Sequence, residues 1–106
     1  MIDETTKPQK FIYAMWAAGT SRFKVGFSGN VESRRKTLEE GCPNPLVVVA
    51  TKPGTMTDEY ALHRLLKKRG AHSHREWFSL TEEDVYVMLR EFGISRDYVY
   101  GVAHMV

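Results

Sequence analysis

The chain has 106 residues, with 15 Lys and Arg against 13 Asp and Glu, a net charge of +2, 42% hydrophobic residues and one cysteine. That length suits one domain around one core, and the balance excludes wholesale disorder. A lone Cys42 has no partner for an intrachain disulfide or a cysteine-based zinc site, and no apolar run approaches the roughly 20 residues of a membrane span.

Residues 1–9 are polar and read as a loose arm ahead of a single domain over 10–106. Residues 10–16 are aromatic and β-favouring, and 22–27 alternate polar and apolar, so the two predict a β-hairpin about the turn at Gly19. Asn30 is placed to cap a helix over Val31–Glu40, which Gly41 and the prolines at 43 and 45 end. The β-branched run from 46 to 51 predicts a buried strand. A second helix is expected from about Met56 to Arg69, capped by Thr57 or Asp58, with Leu62, Leu65 and Leu66 on its core stripe. Residues 71–75 read as a loop and 76–80 as a short strand. Thr81 with Asp84 three residues on predicts a capping box and a third helix ending at Gly93. Residues 95–106 fit either a helical turn or a strand. The sum is an α/β domain in the order β-β-α-β-α-β-α, with a mixed or antiparallel three-stranded central sheet flanked by helices.

The charge is too mild to name a partner, but its distribution is uneven. Arg34, Arg35 and Lys36 form one basic group, and Arg64, Lys67, Lys68, Arg69 and Arg75 another, while acids gather towards the ends at Asp3, Glu4 and Glu82 to Asp84. This predicts one positive face, against the competing reading of ordinary solvated helix surface. The lone cysteine and the lack of an apolar leader lead to the expectation of a soluble cytoplasmic protein.

Four polar residues stand out for chemistry: Tyr13 in the first strand, Arg34 on the first helix, His63 on the second, four residues after Glu59, and Glu76 ahead of Trp77 and Phe78. An acid can hold a divalent metal, an arginine can clamp a phosphate, and a tyrosine or histidine can activate water, which together suit phosphodiester hydrolysis. Each residue also has an explanation in packing or surface pairing, so the set alone does not decide. Period-two geometry puts Arg22, Lys24 and Gly26 on one strand face. If Tyr13 pairs across on that face, Lys24 lies beside it and its ammonium favours tyrosinate, or else Lys24 binds phosphate itself.

The order of these residues resembles the GIY-YIG endonuclease family, in particular a short branch found in phages and bacteria. Phe11-Ile12-Tyr13 stands for the first motif and Lys24-Val25-Gly26 for the second. The stretch from Gly26 to Arg34 matches the glycine-to-arginine step into the helix. Glu59-Tyr60-Ala61-Leu62-His63 matches Glu-x-x-Leu-His, and Glu76-Trp77-Phe78 matches Glu-Trp-Phe. Lys24 replaces the second motif's tyrosine, Leu38 stands where a His or Tyr is frequent, and the late asparagine has no counterpart. The resemblance covers roughly residues 10–80. It implies a metal-dependent DNA endonuclease of the bacterial cell or the phage-infected host, using Mg²⁺ or Mn²⁺ held by Glu76. Arg34 would bind the scissile phosphate, and Tyr13, helped by Lys24 or His63, would activate water. Arg22, Arg35, Arg64, Lys67 and Lys68 would contact flanking phosphates of DNA, with RNA not excluded. The chain has no room for a separate recognition domain, so specificity is expected from the domain itself, a homodimer or an accessory protein. The rival reading is a catalytically weak or inactive module of the same fold that binds nucleic acid or protein.

Overall fold

Helix and strand boundaries follow the local chemistry closely. A computed structural model describes residues 9–94; the expectations for the arm before Gln9 and for residues 95–106 fall outside them. Strands β1 (Phe11–Ala17) and β2 (Arg22–Ser28) form the antiparallel hairpin. Its turn is held by Gly19 at φ +85° and by the Trp16 indole, which donates to the Thr20 carbonyl at 2.6 Å. Helix α1 (Val31–Glu40) starts at Asn30, whose side chain accepts from the Ser33 amide. Strand β3 (Leu46–Pro53) pairs antiparallel with β1. Helix α2 (Met56–Lys68) is capped by Thr55, not by Thr57 or Asp58. Asp58 is instead the reciprocal member of a capping box, returning its carboxylate to the Thr55 amide at 2.8 Å. Helix α3 (Glu82–Arg90) carries the box expected of Thr81 and Asp84, and ends three residues before Gly93.

The coarse α/β class holds, but the sheet has five strands, not three, in the order β3-β1-β2-β5-β4, with every pairing antiparallel. The short strand expected over 76–80 joins the sheet as β5 (Trp77–Ser79), and a further strand, β4 (His72–His74), lies in the segment read as a loop and pairs with β5. Nothing in His-Ser-His alternates in hydropathy, so only the ladder to β5 makes it a strand. The two residues that join them, Arg75 and Glu76, both have positive φ, +52° and +70°. That is the backbone of a type I′ turn, normally the place of Asn-Gly.

The sheet separates two unlike layers. On one face Ile12, Ala14, Trp16, Phe23, Val25 and Phe78 pack against Leu62 and Leu66 of α2 and Val85, Met88 and Leu89 of α3. This is the main core, and each large side chain buried there contributes about 1.5–3 kcal/mol. On the other face Tyr13, Met15, Ala17 and Leu46 make a smaller cluster beneath Val31 and Leu38 of α1. Helix α1 itself has no buried residue. It is fastened by its rim instead, where Glu39 accepts from the Leu46 amide at 2.7 Å. Among the described residues no helix is long and apolar enough to cross a membrane.

Candidate active site

The polar residues singled out in the sequence meet where β5 parts from β2. The ladder between those strands ends at Lys24 opposite Trp77. One residue on, the Val25 amide donates to the Glu76 carbonyl at 3.3 Å, and the Val25 carbonyl lies 2.7 Å from His63 Nε2. A carbonyl can only accept, so Nε2 carries a proton in this contact. An edge-on contact with Phe78, 5.2 Å between ring centres, fixes the imidazole from its other side. His63 is thereby tied to β2, which carries Lys24, and to Phe78 of β5.

Lys24 and Tyr13 come from neighbouring strands on the α1 face. The register sets Met15 opposite Lys24 and Tyr13 opposite Gly26, so Lys24 is the diagonal neighbour of Tyr13, as the sequence implied. The lysine is 5% exposed, and its Nζ donates to Glu76 Oε1 at 3.0 Å while lying 5.7 Å from the centre of the Trp77 ring. A buried ammonium needs such a partner, and the ion pair pins the Glu76 carboxylate, whose side chain is 48% exposed. The expectation that Lys24 lowers the Tyr13 pKa is not met. Burial pushes the Tyr13 phenol above its ordinary value of 10.0, and the cation that opposes this is Arg34, which hydrogen-bonds the phenol. The charge of Lys24 goes to Glu76 instead.

Gly26 explains how so large a ring fits. A Cβ at that position would fall on the Tyr13 phenol, so the ring crosses the bare backbone of β2. The two motifs that supply Tyr13 and Gly26 are therefore a single packing unit.

Arg34 and Arg35 point different ways, as their roughly 100° separation around a helix requires. Arg34 reaches Tyr13. Arg35 is engaged by Glu32 at 2.7 Å and Glu39 at 3.1 Å, two acids of its own helix. Of the other cations expected to meet flanking phosphates, Arg22 lies 5.9 Å from the Trp77 ring centre, Arg64 stacks at 5.8 Å on the exposed Tyr60, and Lys67 and Lys68 are exposed along α2. Lys67 follows His63 by one turn and so continues its stripe. Arg69 is committed elsewhere, to the buried Asp84 at 3.0 Å.

One residue that the sequence reading named but gave no role also joins the cluster. Glu59 is half-buried one turn before His63, and burial raises its carboxyl above the ordinary 4.5; Glu76 adds to the rise, while His63 and Lys24 oppose it. Glu59 thus shares one electrostatic environment with Glu76, Lys24 and His63. The available signal was the i, i+4 spacing to His63, which reads equally well as a surface pair.

Residues 10–93 match the T5orf172 domain. The chain belongs to the T5orf172 family. No curated protein and no solved structure matches it. The match takes in every strand and helix described above, so the T5orf172 domain includes both the five-stranded sheet and the polar cluster at its centre.

The donors present decide what kind of metal this T5orf172 site could take. Among the described residues no group of three or more His, Cys, Asp or Glu side chains is gathered as a metal cage. A half-exposed carboxylate with water around it fits Mg²⁺, which keeps much of its hydration shell and needs only one or two carboxylates beside substrate phosphate.

Proposed function

We propose that this T5orf172 domain is a divalent-metal-dependent DNA endonuclease of the GIY-YIG type. The observation that carries the reading is the convergence of Tyr13, Lys24, Arg34, His63 and Glu76, supplied by β1, β2, α1, α2 and the β4–β5 turn, around one point of the sheet. Packing has no need of five polar side chains from five elements at one place, whereas phosphodiester hydrolysis needs those groups together.

In this mechanism Arg34 receives the scissile phosphate, because it is exposed and its guanidinium matches two phosphate oxygens. Glu76, turned by Lys24 through Oε1, would hold Mg²⁺ or Mn²⁺ by its remaining oxygen. The ion, when bound, supplies Lewis-acid stabilisation of the phosphate and of the leaving oxygen. Tyr13 takes the proton from the attacking water after releasing its own to solvent, with Arg34 favouring the phenolate. His63 positions the site through Val25, and Glu59 is a second carboxylate able to accept that proton. Arg22, Arg64, Lys67 and Lys68 would meet flanking phosphates and set register without reading sequence. Arg35, neutralised by Glu32 and Glu39, is the weakest candidate of that group.

The rival, a DNA-binding module without cleavage, draws on one observation: the Lys24 ammonium already occupies the carboxylate that would hold the metal. Incubating plasmid DNA with the protein, with and without Mg²⁺ or Mn²⁺, separates the two. Nicked or linear product only with metal is expected; retardation without cleavage under any metal would establish the rival.

A further inference from the structure

A cavity of about 480 Å³ opens beside the cluster on the α1 face, walled by Ala17, Leu38, Thr37, Cys42, Asn44 and Trp77. That size falls within the roughly 300–1,000 Å³ of small-molecule sites. The phosphodiester chemistry above makes no use of it. We propose that it takes one unpaired nucleobase of the DNA strand whose phosphate lies at Arg34, so that the substrate is single-stranded or locally unpaired DNA. The proposal rests on the reading of the domain as DNA-binding.

Position and chemistry both support this occupant. Trp77 directly follows Glu76 in the chain and borders the cavity, so the metal-holding position and a half-buried aromatic face belong to adjacent residues. The cavity wall at Thr37 and Leu38 lies one helical turn, about 5.4 Å, beyond Arg34. Tyr13 and Ala17 share a strand face four residues apart, about 13 Å. A base held there belongs to a nucleotide one or two steps from the scissile phosphate. The lining suits an uncharged aromatic ring with polar edges. Trp77 brings an aromatic ring to the rim, and Arg22, also at the rim, lies over that ring with its guanidinium 5.9 Å from the ring centre, so a base entering there would share the stack with both. Leu38 and Ala17 are apolar, while Thr37 and Asn44 bring a hydroxyl and an amide to the edge. Recognition of unpaired bases by aromatic rings and arginine planes uses these groups, and a base stacked within a duplex cannot reach them without being flipped out at a cost.

Cys42 is the protein's sole cysteine and lines the cavity, so its alkylation by iodoacetamide reports occupancy without cleavage. The experiment uses the full chain in EDTA with three probes: a six-nucleotide single strand, the same backbone lacking its bases, and the duplex. Binding is followed by fluorescence anisotropy. The base-containing strand should bind about tenfold tighter than the abasic one, the scale of one stacked base. It alone should slow Cys42 alkylation, at least fivefold at saturation. Trp77→Ala should erase both differences. Since that change removes a sheet residue, Thr37→Trp, an exposed helix position that fills the cavity mouth, is the second variant and should erase the affinity difference too. Equal affinity for abasic and base-containing strands, or saturated binding with Cys42 unprotected, overturns the cavity assignment and leaves the nuclease reading standing. Protection by duplex equal to that by single strand overturns the unpaired-substrate claim. No binding of any probe overturns the DNA-binding reading, and the cavity assignment with it.

Discussion

Helix α3 buries Asp84, Val85, Val87, Met88 and Leu89 within nine residues, whereas α1, one residue longer, buries none. The two helices cover opposite faces of the same sheet. Beneath α3 and α2 lies the main apolar core. Beneath α1 lie a small cluster, a buried lysine and a buried tyrosine. The difference separates two tasks that a chain of this size must perform on one sheet. One face holds the fold together. The other carries groups that burial penalises, and it can do so because the stability comes from elsewhere.

Four changes would break or sharpen that division. The largest effect on stability is expected from Phe78→Ala, on the α3 face with no exposed surface. It should cost about 3–5 kcal/mol, read by urea unfolding. A cost below 1 kcal/mol would mean the main core lies elsewhere. Next is Arg34→Ala on the other face. It should slow cleavage by about 10²–10³-fold, the cost of losing one preorganised charge-stabilising donor. Its fold should persist with a modest fall in melting temperature, since the exposed side chain gives up only its hydrogen bond to the Tyr13 phenol. Arg35→Ala should leave the catalytic rate near wild type. The reverse ranking would show that α1 presents the other arginine.

The pH dependence follows in size. Burial raises the Tyr13 phenol above 10.0, so the phenolate fraction grows about tenfold per unit between pH 7 and 9. If Tyr13 is the base, the single-turnover rate should climb with the same slope and still be rising at pH 9. A plateau already reached by pH 7 would assign the base to a carboxylate, with Glu59, whose carboxyl burial raises, as the candidate. The phenol's contribution to stability has its own sign. Its folded pKa exceeds the unfolded value, so that contribution is complete below pH 10 and is lost as pH rises through the folded value. The neutral range is therefore free of interference from unfolding by this group. The smallest effect concerns the turn. Arg75 at φ +52° adopts a backbone that suits asparagine better. Arg75→Asn should stabilise the domain by about 0.5–1 kcal/mol, with cleavage retained; destabilisation would show that the arginine side chain matters more than its backbone.

Much of the fold was readable because its signals are local. Asn30 and Gly41 bracket α1, and Thr81 with Asp84 opens α3. Thr55 and Asp58 have the same three-residue spacing, but Thr57 beside them offered a competing cap. The fourth strand was not readable. His72–His74 shows no apolar alternation, and its turn uses Arg-Glu in place of Asn-Gly, so its only cause is pairing with β5, a tertiary fact. The site divides in the same way. Strand periodicity placed Lys24 next to Tyr13, and helix geometry separated Arg34 from Arg35. Where the Lys24 charge goes depended on Glu76, 52 residues away. Glu59 was hidden because a half-buried carboxylate and a solvated one look alike at i, i+4 from a histidine.

Glu76→Gln tests the central claim most directly. The substitution keeps the shape and an oxygen to accept from Lys24, but removes the charge a cation needs. Cleavage of plasmid DNA, binding of the same DNA and the melting temperature are measured for mutant and wild type across a Mg²⁺ titration. The account predicts metal-dependent cleavage by wild type and none by the mutant. The mutant's affinity for DNA should be equal or greater, because a carboxylate no longer repels phosphate, and its fold should persist at a lower melting temperature, since the buried Lys24 keeps an acceptor but loses its counter-charge. Cleavage undiminished in the mutant would contradict the assignment of Glu76 and the site built around it.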